Sequence, residues 1–144
     1  MFTETGLWGR TQYLLETGMD VSQMRHKVFA DNIANVDTPH FKRSEVGFEA
    51  ELRRVIDLEK HVEENSVPAR LTDERHIPFF RTRDIRDVQA RQHIDYLSTM
   101  RNDGNNVDPE HEVAEQTRNM MTYQALTTLM NHNFRTINIV NRVA

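Results

Sequence analysis

Seven histidines (His26, His40, His61, His76, His93, His111 and His132) and the carboxylate pairs Glu63 with Glu64 and Glu110 with Glu112 are the obvious chemical groups in this 144-residue sequence. Histidines hold zinc when they converge at helical spacing, as in H-E-x-x-H, and two carboxylates at a defined separation hydrolyse glycosidic bonds. The sequence meets neither requirement. Its histidines are scattered, "EHE" at 110–112 spreads its side chains around a helix, and neither carboxylate pair has an apolar pocket that would raise one pKa. Cysteine is absent, which removes thiolate ligands, disulfides and a thiol nucleophile. Ser22, Ser44, Ser66 and Ser98 sit in no nucleophile-elbow context, and no glycine-rich phosphate loop occurs. The expectation is a chain with no catalytic residues, no metal and no cofactor.

Hydrogen-bonding groups concentrate instead in "DNIANVDTPHFKR", residues 31 to 43. Asn32 and Asn35 are three apart on the last turn of an apolar-periodic run, where their amides can bond orphan carbonyls or a neighbouring helix. Asn35 also suits a left-handed cap. Thr38 is pushed toward extended geometry by Pro39, so the helix ends before it, and Pro39 suits the second position of a β-turn. Phe41 then returns an apolar group toward the helix. Read from the residues, the stretch is a hydrogen-bonded helix stop that redirects the chain.

The elements on either side are helical. Leu7, Leu14, Val21 and Val28 recur at seven-residue steps, with Met24 between them and Leu15 beside the stripe, which predicts a narrow heptad seam. Gly18 weakens an unbroken helix there by about 1 kcal/mol. Asp108 as N-cap, Pro109 at the first helical position and Glu110 with Glu112 in the first turn predict a strong second helix start. Met120, Tyr123, Met130, Phe134 and Ile137 form its stripe, widened by Leu126, Leu129 and Val140, and neither Gly nor Pro interrupts residues 110–144. Between the helices, Phe48, Leu52, Val55 and Ile56 suggest a short amphipathic helix, Pro68 and Pro78 break the pattern, and "MRNDGNNVD" is turn chemistry.

Hydrophobic residues are 38% and charged residues 28% of the chain, with a formal net charge of -4, and the mean hydropathy is -0.70. That apolar fraction is below the usual range and predicts a chain that depends on neighbours. Nucleic acid is an unfavoured partner, and no run suits a membrane span. Arg81, Arg83, Arg86 and Arg91 are interleaved with Asp84 and Asp87, which favours a solvated or salt-bridged face. No basic n-region followed by a long apolar run opens the sequence, so an extracytoplasmic protein would leave by a route without a cleaved signal. Two narrow seams would leave Trp8, Leu15, Leu126 and Leu129 in water, which self-association would remedy.

"NIANVDTPHFKR" resembles the N-x-A-N-x-x-T-x-G-[FY]-[KR] signature of bacterial flagellar rod, hook and hook-junction axial proteins, matching at Asn32, Ala34, Asn35, Thr38, Phe41 and Lys42. His40 stands where that family usually has Gly; a positive φ there would strain it, and a type I turn would not. The stretch from "NNVDPEHE" to the C-terminus, with Val107, Asp108, Glu112, Tyr123, Gln124, Ala125, Leu126 and Phe134, is similar to the C-terminal helix of the proximal rod members, and "RLTDERHI" resembles a segment of their middle region. The resemblance implies a structural subunit of the basal-body rod in the periplasm, exported through the flagellar type III apparatus. Its implied partners are other rod subunits, the rod–export-gate adaptor, the membrane-supramembrane ring and the export gate. Phe48 and Leu52 fit the Phe-x-x-x-apolar export signal that such subunits share.

The expected architecture is mainly α, with two long terminal helices pairing as a coiled coil around a smaller polar middle of short helix and loops. Residues 1–35 form the N-terminal axial helix, 36–107 the motif loop and outer region, and 108–144 the C-terminal axial helix. Leu14, Val21, Met24 and Val28 are expected on one seam; Met120, Tyr123, Leu126, Met130, Phe134 and Ile137 form the other. A discrete coiled-coil adaptor or chaperone-like protein is the alternative, distinguished by stopping at a small fixed number of copies.

Overall fold

The computed structural model describes residues 7–65, 72–73, 75–76 and 83–143. Leu7, Trp8, Glu63, Ser66, Pro68, Pro78, Arg81 and most of "RLTDERHI" lie, by side chain or entirely, outside that description. Three helices dominate: α1 (Leu7–Ala34), α2 (Glu49–Asn65) and α3 (Pro109–Val143). Two short strands, β1 (Ser44–Gly47) and β2 (Arg91–Ile94), pair with each other. Asp95 N–H donates to the Arg43 carbonyl at 2.9 Å, just past the end of one strand and just before the start of the other, so the pair is antiparallel.

The chain forms two compact units: one from both ends of the sequence, bounded at Val46 and Gln92, and one from Gly47–Arg91. In the first, α1 and α3 pack antiparallel. Contacts run from Gln12 with Met130, through Gly18 with Leu126 and Ser22 with Asn119, to Asn32 with Glu112. At 28 and 35 residues the helices are roughly 42 and 52 Å long.

Local chemistry explains their ends. Asp108 caps α3, its Oδ1 accepting from Glu110 N at 3.0 Å and His111 N at 3.4 Å. α1 stays unbroken through Gly18 because the missing side chain is what lets Leu126 approach: a Cβ there would lie 3.3 Å from Leu126 Cδ1. Ser22, buried one turn on, donates to the Gly18 carbonyl at 2.8 Å.

In the second unit, α2 carries Glu49 and Glu51 at its positive end. It packs with a 3₁₀ turn at Ile85–Asp87, capped by Asp84, whose Oδ1 accepts from Arg86 N at 3.0 Å. Among its described residues, Phe48, Val55, Ile85 and Val88 are the buried apolar ones. Arg83 donates to the Asp87 carbonyl at 3.4 Å.

Candidate functional site

The motif loop is a built structure. Where α1 ends, Asn35 N bonds the Asp31 carbonyl at 3.2 Å and Asn35 Nδ2 bonds it at 2.8 Å. Thr38 N then donates to Asn35 O at 3.0 Å, and Phe41 N closes a turn on Thr38 O at 3.3 Å. Pro39 and His40 are the central residues of that turn, and His40 has φ +62°. Pro followed by a positive φ is the type II pattern, so the type I alternative does not apply and His40 takes the left-handed strain. His40 is the one non-glycine residue with positive φ among those described, so Asn35 is not a left-handed cap. Ala34, Thr38 and Pro39 are exposed, while Phe41 and Lys42 are half-buried.

A second loop, residues 95–106, clasps the first. Asn105 is fully buried, and its Nδ2 reaches the carbonyls of Asn35, Val36 and Thr38 at 3.2, 3.0 and 3.0 Å. Its Oδ1 accepts from Val107 N at 2.7 Å. Asn106 Oδ1 accepts from Arg43 N at 2.6 Å, while its Nδ2 donates to Asp95 O and Ser98 Oγ, both at 2.9 Å. Arg101 donates to Val36 O at 2.9 Å and to Asp37 at 3.2 Å, and Lys42 Nζ donates to Ser98 O at 2.8 Å. His40 N donates to Asp103 O at 3.1 Å, and its ring lies where a Cβ on Gly104 would be, 2.8 Å from Nδ1.

The clasp reaches α3 through Glu112. Asn32 Oδ1 accepts from Ser44 N at 3.0 Å and its Nδ2 donates to Ser44 O at 2.9 Å, extending the β1 backbone as a further strand would. The same Nδ2 donates to Glu112 Oε2 at 2.9 Å, and Arg43 Nε donates to Glu112 Oε1. Asn32 and Glu112 are both 0% exposed. Burial alone would lower the Arg43 guanidinium's pKa, but bonds to Glu112 and Glu45 and their negative charge hold it above its ordinary value. Among the described residues, every fully buried side-chain polar atom has a partner. Asn105, Asn106, Arg43 and Arg101 were not among the residues singled out from the sequence; the visible signal was a second Asn-rich segment, which reads as turn chemistry alone.

The helix seam differs from the expected one in phase. Val21, Val28 and Met130 are buried, and Leu14, Tyr123, Leu126 and Ile137 are half-buried. Met24, Met120 and Phe134, expected on the seams, are 40%, 51% and 49% exposed. A seven-residue step fixes one line of a seam but leaves its companion either three or four residues further on. On α1 the companions of Leu14, Val21 and Val28 are Gly18, Arg25 and Asn32; on α3 those of Tyr123, Met130 and Ile137 are Asn119, Leu126 and Asn133. Apart from Leu126, which the apolar stripe already included, their small or polar character hid them from a hydrophobic reading. Here Asn119 Nδ2 donates to Ser22 O at 2.8 Å, and Arg25 reaches the Val46 carbonyl at 3.2 Å.

The displaced line stands outside the pair: Met120 and Phe134, two heptads apart, are exposed on one side of α3, while Met121 and Leu129 are exposed on other sides of it. A mostly apolar groove of about 380 Å³ lies between Gln23, His26 and Lys27 of α1 and Asn119, Met120 and Tyr123 of α3. Phe48 is buried and Leu52 half-buried one turn later, both in the other unit. The groups with chemical potential do not converge: among the described residues no cluster of three or more His, Asp or Glu could hold a metal, and no helix is long and apolar enough to cross a membrane.

A terminal-helix pair fixed at one end by a polar clasp, with a second apolar line left open along its length, is the design of an axial assembly subunit. The chain belongs to the FlgB family of flagellar basal-body rod proteins. It is 42% identical over 122 residues to flagellar basal body rod protein FlgB of Borrelia hermsii, spanning 85% of this chain and 88% of that relative. FlgB of Borreliella burgdorferi is 39% identical over the same shares. That of Bacillus subtilis is 32% identical over 134 residues, 93% of this chain and 95% of the relative. No protein-family model matches the chain. The protein is a structural subunit of the basal-body rod and assembles with other rod components; nothing found supports a discrete adaptor.

Proposed function

We propose that the subunit enters the rod through the exposed apolar line of its helix pair, while the motif loop and its clasp fix the angle at which the chain leaves α1. The observation that carries this is the pairing of a satisfied inner seam with exposed Met120 and Phe134, two heptads apart on one outer side of α3. Val21, Val28 and Met130 hold the hairpin together, and Met24, Met120 and Phe134 meet neighbouring subunits. The rod–export-gate adaptor, the membrane-supramembrane ring and the export gate are the neighbours expected at its base, which places it in the periplasm in support of motility.

Export proceeds through the type III apparatus without a cleaved signal. Phe48 and Leu52 are then read in the unfolded chain, since folding buries Phe48. The subunit works without catalysis, its buried carboxylate Glu112 being committed to Asn32 and Arg43. Two double variants separate these roles. Val21→Asp with Met130→Asp should abolish the helix pair, seen as lost helicity by circular dichroism. Met120→Asp with Phe134→Asp should keep the helicity yet leave isolated basal bodies without rods; normal rods in that variant would overturn the outer-line assignment.

A further inference from the structure

Among the described residues, the most exposed apolar side chains outside the helices lie on the loop after β2: Tyr96 is 70%, Leu97 98% and Met100 67% exposed. The loop that presents them is held from both sides. Asp95 Oδ1 accepts from Leu97 N at 3.0 Å and Ser98 N at 3.1 Å, the hydrogen-bonding of an Asx turn. Lys42 grips the Ser98 carbonyl and Asn106 grips Asp95 O and Ser98 Oγ. A loop ordered in advance loses little further entropy on docking, so its apolar side chains are pre-organised to bind.

We propose that Tyr96 and Leu97 dock into the α1–α3 groove of a second copy of this chain. The groove's 380 Å³ compares with the roughly 150 Å³ that holds a benzene-sized group, leaving room for a phenol ring and an isobutyl group together. Its walls match the occupants: Met120 and Tyr123 offer apolar surface, while Gln23 and Asn119 offer partners for the Tyr96 hydroxyl. A chain cannot fill its own groove. The knob is fixed at Asn106, beside the start of α3, and Met120 lies roughly 16 Å along α3 from Pro109. Two different patches on one molecule make a heterologous contact, which builds a ring or a helical array around an axis instead of closing at two copies. That is the geometry a shaft needs, and the inference rests on the assembly reading given above.

The absence of cysteine makes a direct test clean. Leu97→Cys and Met120→Cys variants are produced together in one cell and oxidised, and isolated basal bodies are scored for covalent dimers. Dimers joining Leu97→Cys to Met120→Cys, in excess of either homotypic pair, support the docking. No dimers, or homotypic dimers alone, in basal bodies that contain rods overturn it. As a second arm, Leu97→Asp should preserve helicity and weaken concentration-dependent association of the purified chain on the order of 10–100-fold. Unchanged association and normal rods with Leu97→Asp would sink the docking and leave the rod reading standing. If Met120→Asp with Phe134→Asp also builds normal rods, the outer-line reading falls with it.

Discussion

Glu112 gives the sharpest stability test, because a fully buried carboxylate on α3 is tied to α1 through Asn32 and to the residue just before β1 through Arg43. Replacing it by Ala removes the acceptor for two donors. Asn32 Nδ2 keeps its bond to Ser44 O at 2.9 Å, and Arg43 keeps Glu45, whose side chain is 60% exposed. Breaking one partner of a buried pair costs about 3–5 kcal/mol, and the surviving bonds place this case at the lower end, about 3 kcal/mol. Glu112→Gln keeps an acceptor for only one of the two donors: with its oxygen on Asn32 Nδ2, its NH2 group faces the Arg43 Nε–H, donor against donor, so the buried unmade bond costs about 1–3 kcal/mol and the variant recovers little of the alanine loss.

Urea unfolding of the purified chain, followed by circular dichroism, reads both values from the shift in midpoint at constant slope. The specific claim is coupling: Arg43→Ala combined with Glu112→Ala should cost clearly less than the sum of the single changes. Additive losses would refute the pairing. A loss below about 1 kcal/mol for Glu112→Ala would refute the burial argument itself.

Gly18→Ile should lower stability by about 1–3 kcal/mol through overpacking against Leu126, and Leu126→Ala should restore much of the loss in the same unfolding assay. Gly104→Ala should destabilise on two grounds, a φ of +80° and a Cβ 2.8 Å from His40 Nδ1. His40→Gly should be neutral or stabilising by up to about 1 kcal/mol, because relief of left-handed strain exceeds the added chain entropy, and it should remove the clash part of the Gly104→Ala penalty. Asp95 has its pKa lowered, first by the Ser98 hydroxyl and then by the Ser98 backbone N–H. A depressed folded-state pKa contributes stability above the unfolded value of about 3.9, and that contribution is lost as pH falls through the folded value. Ser98→Ala should therefore move the Asp95 titration, followed by NMR, back toward the ordinary range; no movement would assign the shift elsewhere.

The helices were legible because their signals are local. Asp108–Pro109 marks the α3 start within one turn, and the seven-residue steps of Leu14, Val21 and Val28 survive in the packed seam. The companion line was not legible from apolarity, since Gly18, Arg25, Asn32, Asn119 and Asn133 contribute size and hydrogen bonds that a hydrophobic pattern ignores. Gly18 read as a weakness in α1, although it is the position that admits Leu126. The strand pair escaped for a related reason: "SEVG" and "RQHI" have little alternation, and pairing through Asp95 N and Arg43 O is a long-range event. The motif loop was visible as a chemical oddity. Its partner loop was not, because nothing in the order of residues says that Asn105 will sit beneath the carbonyls of Asn35, Val36 and Thr38.

The polar seam has a consequence for register. The apolar lines of α1 and α3 repeat every seven residues, so sliding one helix past the other by a heptad would leave Val21 and Val28 facing apolar partners. The same slide would separate Asn32 and Arg43 from Glu112 and Ser22 from Asn119, stranding a buried carboxylate at about 3–5 kcal/mol and an unpaired amide at about 1–3 kcal/mol. The alternatives are thus suppressed by the residues that contribute least hydrophobic burial, as single polar seam positions do in coiled coils. Fixing the register also fixes where Met120 and Phe134 stand relative to Met24 and to the Tyr96–Leu97 loop. A subunit that must meet several neighbours needs those spacings constant, which accounts for a chain that places buried asparagines beside Met130 on its inner seam and leaves Met24 and Met120 outside.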